Sequence, residues 1–161
     1  MSSSKISYEI ARPTEADLVR VIENMHPLDV AEVWAAAHHT PETAVRKSVE
    51  VSRDTIKVGR ADGEPVCIFG VASETVMSRI GAPWLLGTPD IEKHSRAFLR
   101  LNRAYIADLR RDYDFLANFV DMRNNQAIRW LQWLGFTLLD PRPYGVNQLM
   151  FHPFFMGDPN V

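Results

Sequence analysis

Apolar and polar side chains alternate from Ile6 to Ala11, the period of a half-buried strand. After Arg12-Pro13 the period lengthens. Leu18, Val21 and Ile22 share one side of a helix predicted from Glu15 to about Asn24, with Thr14 as its cap and Asp17 in the capping-box place. His26-Pro27 ends it, because a residue before proline resists helical geometry. Asp29 opens a second helix with Val30, Val33, Trp34 and Ala37 on one face, and Thr40-Pro41-Glu42 starts helix again, to about Arg53. From Thr55 the period shortens to two. Ile56, Val58 and Ala61, a turn at Asp62-Gly63, and the apolar run Val66 to Ala72 predict a β-hairpin.

A polar link, Ser73 to Gly81, leads to a fourth strand around Trp84-Leu85-Leu86. Gly87-Thr88-Pro89 then opens the longest helix, to about Arg111, with Ile91, Phe98, Leu101, Tyr105 and Leu109 as its inward stripe. Phe115 to Asp121 reads as a strand. The stretch NNQAIRWLQWLGF, Asn124 to Phe136, reads as a short amphipathic helix stopped at Gly135 and handed over to a strand ending at Leu139. Asp140 to Gly145 is a proline-rich loop, and Gln148 to Phe155 is the last strand.

Composition fits that mixture. The chain has 161 residues, 46% apolar and 24% charged, so it is expected to fold as one domain, with 1–4 and 157–161 as flexible tails. A formal net charge of −2 gives no global pull toward polyanions, and no apolar run is long enough to span a bilayer. One cysteine, Cys67, excludes an internal disulfide and a multi-cysteine metal site, and its apolar neighbours predict a buried side chain. Among the histidines, His38-His39 ends a helix with two rings pointing apart, His26 precedes a proline and His152 sits among aromatics, so no metal site is expected. Trp130 and Trp133 lie three apart beside Leu134. Core packing of both is expected, and an exposed one would mark a contact surface.

Val120, Asn124, Ala127, Ile128, Leu134, Gly135 and Phe136 resemble the late strand–helix–strand motif of the GCN5-related N-acetyltransferases (GNAT), and Arg12-Pro13-Thr14 with Asp17 resembles that family's opening. The order of elements agrees. The resemblance implies an α+β fold, a mixed and mostly antiparallel sheet of about six to seven strands with helices on both faces, ordered β-α-α-β-β-β-α-β-α-β-β with room for a third early helix. It also implies acetyl-CoA as cofactor. In that family a glycine-bearing loop, Gln/Arg-x-x-Gly-x-Gly/Ala, opens the long helix, and its free amides hold the cofactor's diphosphate. Aligned by helix starts, Asp90 stands at the Gln/Arg position, and Lys93 and Ser95 replace the two glycines. Asp90 and Glu92 suit the helix dipole as internal caps, in the place a phosphate would take. Leu131 stands where the family usually carries the tyrosine that protonates the leaving thiolate. The fourth strand has no carboxylate. Asp121 is a weak candidate for a general base and Glu74 a weaker one.

The second half is similar to the small GNAT-like internal virion or core proteins of short-tailed phages, on a Trp-containing fourth strand, a helix start without the glycine pair, a long basic helix, and Asn124…Ile128-Arg129-Trp130-Leu131…Gly135. That resemblance implies a phage-encoded protein with a virion or host protein as partner, found in the host cytoplasm or the virion. Two readings stay open. One is a GNAT-fold binding or virion-assembly module with a degenerate acetyl-CoA site, favoured by Asp90, Lys93 and Leu131. The other is an active acetyl-CoA-dependent N-acetyltransferase acting on an amine of a small molecule or host protein. Its cofactor would meet Leu85, Leu86 and Gly87, then Lys93, His94, Ser95 and Arg96, and Asn124. What separates them is whether the fourth and fifth strands leave an open V, or whether Trp84 and the Lys93 turn close it. A third idea is nucleic-acid binding by Lys93, Arg96, Arg100, Arg103 and Arg110 along the long helix; a solvated helix face is the plain alternative.

Overall fold

The period-two segments pair into one eight-stranded sheet in the computed structural model, which describes residues 5–75 and 77–158. In chain order the elements are β1 (Tyr8–Ala11), α1 (Glu15–Glu23), α2 (Pro27–Ala37), α3 (Pro41–Ser52), β2 (Lys57–Ala61), β3 (Glu64–Ala72), β4 (Ile80–Gly87), α4 (Ser95–Asp112), β5 (Phe115–Asp121), α5 (Asn125–Leu134), β6 (Thr137–Leu138), β7 (Arg142–Tyr144) and β8 (Leu149–Gly157). The sheet order is β1-β2-β3-β4-β5-β8-β6, with β7 also on β8. Every pairing is antiparallel except that of β4 with β5.

The expected architecture holds, with several boundaries moved. α2 starts at Pro27 rather than Asp29, because the His26 ring caps it: Leu28 N–H donates to His26 Nδ1 at 3.1 Å. The long helix starts at Ser95 rather than Pro89, because Pro89–Glu92 forms a separate 3-10 turn. β4 begins four residues ahead of the predicted Trp84, and the proline-rich loop contains β7. Of the expected tails, residues 1–4 and 159–161 lie outside the described residues, whereas Gly157 closes β8 opposite Phe115.

Two helical layers cover the sheet. On one face Leu18 and Val21 of α1 and Val45 of α3 bury against Val58, Ile68 and Leu86. On the other, Phe98 of α4 and Trp130 of α5 pack on Cys67 and Phe69, continuing into Leu109, Tyr113, Leu116, Phe136 and Phe154. Burial pushes the Cys67 thiol up to about 12, so it is a core side chain with no thiolate to offer. Gly135 ends α5 with φ +101°, a conformation that favours glycine, and lets the chain turn into β6. Among the described residues no helix is long and apolar enough to cross a membrane.

The first helix is fixed as foreseen and also tied to the sheet. Thr14 Oγ1 accepts from Asp17 N–H at 3.2 Å, and Thr14 N–H donates to Asp17 Oδ2 at 2.8 Å. Asp17 in turn takes the Arg60 guanidinium of β2, at 3.1 Å from Nε. Burial draws the Asp17 pKa up, but the bonds from Arg60 and Thr14 outweigh it and leave it below the ordinary value of 3.8. Asp17→Ala removes the buried partner of the partly buried Arg60, which keeps Glu9 at 2.9 Å, and is expected to lower unfolding free energy by about 2 kcal/mol, read from urea titrations. The native contribution of Asp17 is complete above the ordinary value of 3.8 and is lost as pH falls below it, so the difference between wild type and variant narrows in acid.

Candidate functional site

β4 and β5 run parallel for one short step and then part. Only Ile80↔Phe115 and Gly81↔Leu116 are in register. A side chain at Gly81 has no room, since a Cβ there would lie 2.3 Å from Val71 Cγ1 of β3 and 2.9 Å from Tyr113 Cε1. Thr88 N–H reaches across to Val66 of β3, so by alternation the odd-numbered β4 residues turn their peptide groups toward β5. The next of these after Gly81 is Pro83, which has no N–H to donate, and there the ladder stops. Asn118 spans the first gap: its Nδ2 donates to Pro83 O at 3.0 Å and its Oδ1 accepts from Phe119 N–H at 2.8 Å.

Beyond Asn118 the strands enclose a cavity of about 280 Å³, walled by Phe69, Trp84, Leu85, Tyr105, Phe119 and Tyr144 among others. Neither Trp84 nor Lys93 closes it. Trp84 donates Nε1–H to Ser52 Oγ at 2.6 Å, and exposed Lys93 pairs with Asp90 at 3.3 Å. What enters the mouth of the V is α2. Gly87 N–H donates to Asp29 Oδ2 at 2.9 Å, while His26 N–H donates to Gly87 O at 2.7 Å. Across the gap, Asp121 N–H donates to Glu32 Oε1 at 2.6 Å. Asn124 caps α5 through Ala127 N–H and gives its Nδ2 to Asp29 Oδ1 at 3.2 Å. A His26 Nε2 to Glu92 Oε1 contact of 2.9 Å holds the start of α2 to the 3-10 turn. On the β4 side, Leu85 leaves its V-facing N–H and C=O without a partner among the described residues.

These carboxyls sit where burial disfavours the charged form. Burial raises Asp29 despite the bonds from Gly87 and Asn124. Glu32 is pushed up to about 8, first by burial, with the charges of Asp29 and Asp121 adding and the Asp121 amide opposing. Glu32 is therefore a carboxyl that holds its proton at neutral pH. Sequence reasoning missed both, although Asp29 and Glu32 are the only acids of the otherwise apolar PLDVAEVWAAA and stand three apart on one helix face. The expected candidate Asp121 is buried but clamps its own turn, through Arg123 Nη2 at 2.7 Å. Glu74 is exposed and is not in the cavity wall.

The helix start differs from the capped end expected for it. Asp90 pairs with Lys93 and Glu92 with His26, so neither carboxylate caps α4. His94 is the N-cap without a side-chain bond to the helix; its Nδ1 meets Tyr8 Oη at 2.7 Å. The amides of Ser95, Arg96 and Ala97 have no acceptor among the described residues, beside a shallow opening of about 430 Å³ also lined by Tyr8, Lys93 and Arg100. Leu131 is half-buried in the α5 core and carries no proton to give.

A coenzyme A thioester, the cofactor such a fold implies, fits this chain at one end only. Three open amides with Lys93, Arg96 and Arg100 nearby suit a diphosphate. The β4 edge does not suit the amide-bearing arm, because both peptide groups of Gly87 are already engaged by α2 and its cap.

No protein-family model matches the chain, and no curated protein matches it in sequence. Solved structures do match in fold. Ard1 from Thermoplasma volcanium is 14% identical with TM-score 0.69, covering 92% of this chain and 96% of that one. The yncA protein of Salmonella typhimurium, solved with its cofactor acetyl-CoA, is 16% identical with TM-score 0.69, covering 94% of this chain and 95% of that one. An acetyltransferase of the GNAT family from Streptococcus pneumoniae is 13% identical with TM-score 0.60, covering 93% and 98%. At these identities the likeness is one of fold: the chain has the GNAT acetyltransferase fold.

Because folded Glu32 keeps a proton that the unfolded chain releases, wild-type stability should decline as pH rises from about 4.5 to about 8. Glu32→Gln keeps the acceptor for Asp121 N–H and removes the titration, so its urea midpoint should be flatter over that range. Parallel slopes for the two proteins would refute the assignment.

Proposed function

We propose that this is a GNAT-fold protein whose coenzyme edge has been taken over by its own chain, and that it serves as a protein-binding module in the assembly of a short-tailed phage, in the host cytoplasm or the virion. One observation carries the reading: Gly87 N–H and C=O, at the end of β4, bond to Asp29 and His26 of the same chain. A coenzyme arm bonding there would only exchange these bonds for equivalents, each worth about 1 kcal/mol net. It would also leave the Asp29 carboxyl short of a donor inside the protein, which costs about 1–3 kcal/mol or more. The exchange is unfavourable before any ordering of the ligand is counted. Leu131, in the place where the family resemblance leads one to look for an acid, supports the same reading, as does the similarity of the second half of the chain to phage internal virion proteins.

A second reading has its own observation. The cavity of about 280 Å³ with Glu32 in its wall, titrating near 8, would suit an N-acetyltransferase that takes a proton from an amine of a small molecule or host protein. Leu85, Leu86, Gly87, Lys93, His94, Ser95, Arg96 and Asn124 would then be its cofactor residues, after α2 had withdrawn from the β4 edge.

Titration calorimetry of the purified chain with acetyl-CoA and with CoA separates the two. The module reading expects no association tighter than about 1 mM for either. Micromolar binding of acetyl-CoA, together with acetyl transfer to an amine in a thiol-release assay, would establish the enzyme instead.

A further inference from the structure

Five arginines of α4, Arg96, Arg100, Arg103, Arg110 and Arg111, are exposed. At about 100° per residue they fall within an arc of about 100°, along about 22 Å of helix. No acid interrupts the helix from Ser95 to Ala107. Elsewhere five arginines meet carboxylates, Arg12 with Asp54, Arg46 with Glu15, Arg60 with Asp17, Arg79 with Asp114 and Arg123 with Asp121, and at the end of the stripe Arg111 comes within 4.0 Å of Asp108. Arg96, Arg100 and Arg129 have no such partner among the described residues. The stripe is joined to α5 where Arg103 lies 3.8 Å over the Trp133 ring and donates to Trp133 O at 2.9 Å. Trp133, expected in the core, is 47% exposed, whereas Trp130 is buried.

We infer that the outer face of α4 and α5 docks an acidic segment of a partner protein, whose carboxylates meet Arg96, Arg100 and Arg129 and whose apolar side chains pack on Trp133. Unpaired guanidinium forks around an exposed tryptophan combine the two side chains most enriched at interface hot spots. The occupant follows from charge. A long polyanion such as nucleic acid would feel the whole chain, which is formally −2. A short acidic segment feels only what lies within a Debye length of about 8 Å, and there the face is positive. Exposed Ala104 and Ala107 keep the middle of the stripe low enough for a second helix to approach. The inference names the partner class for the module reading and rests on that reading only for the claim that binding is the protein's work. Coenzyme calorimetry tests that reading, and peptide binding tests this one.

The probe is a fluorescein-labelled Glu- and Leu-rich amphipathic peptide of about 16 residues, long enough as a helix to cover the stripe. Its anisotropy is titrated with the full chain at about 0.15 M salt, beside single-stranded and duplex oligonucleotides of equal charge. The peptide should bind and change Trp133 emission. Arg100→Glu, Arg96→Glu and Trp133→Ala should each weaken it about tenfold. Arg20→Glu, an equal charge change at an exposed position of α1, should shift it by less than about twofold, with thermal unfolding showing all variants folded. Absence of peptide binding, equal weakening by Arg20→Glu, or tighter binding of either oligonucleotide would overturn the inference, the last reassigning the face to nucleic acid.

Discussion

The parting of β4 from β5 depends on one missing hydrogen. Pro83 stands where the parallel ladder needs its next donor, so the two strands cannot stay joined beyond Gly81 and Leu116. A ladder cut off inside a sheet leaves peptide groups facing the gap from both sides. Each such group, buried and unpaired, costs about 1–3 kcal/mol. The rest of the site is an answer to that demand. The Asn118 amide serves the first step on both strands, Asp29 and the His26 amide serve Gly87, and Glu32 serves Asp121.

The same demand explains why two carboxyls reside in a helix that is otherwise apolar. An amide N–H needs an acceptor, and a side chain reaching in from α2 can supply one without a strand. The His26 cap and its contact with Glu92 then fix the entry angle of α2, so that Asp29 and Glu32 reach opposite lips of the gap. The N–H and C=O of Gly87 are thereby satisfied within the chain, while Leu85 and the first amides of α4 find no partner among the described residues.

Element types and order were legible because apolar period is a local property: the hairpin at Asp62-Gly63, the α5 helix closed by Gly135 and the capping box at Thr14 all stand where their residues announce them. The start of α4 was misread because Pro89 followed by acids satisfies the rules for a helix N-terminus, and a 3-10 turn satisfies the same rules. The site was legible in part. Leu85 to Gly87 and Asn124 do line or border the V, but the expected filling at Lys93 is replaced by one from α2. That contact joins residues 58 apart in sequence, and no local pattern reports it. Trp133 was misjudged for a related reason. Tryptophan at helical spacing reads as core, and only the position of Arg103 on the neighbouring helix shows that its ring lies outside.

Charge is partitioned by the same architecture, and this bears on how the surface works. Burial at the gap suppresses ionisation of Glu32, so the formal charge of −2 overstates the chain's negative charge at neutral pH. The arginines of α4 and α5 lie on the opposite face of the sheet from α1 and α3, and among the described residues only Arg111 of them meets a carboxylate, that of Asp108. A formal total near zero therefore describes neither region: at the V burial holds the proton on Glu32, and the outer helices hold charged guanidinium groups. Exposed guanidinium groups keep their charge at any physiological pH. The field presented to a partner by that face is thus set by α4 and α5 alone, and ionic strength, rather than proton concentration, is the variable that governs its reach.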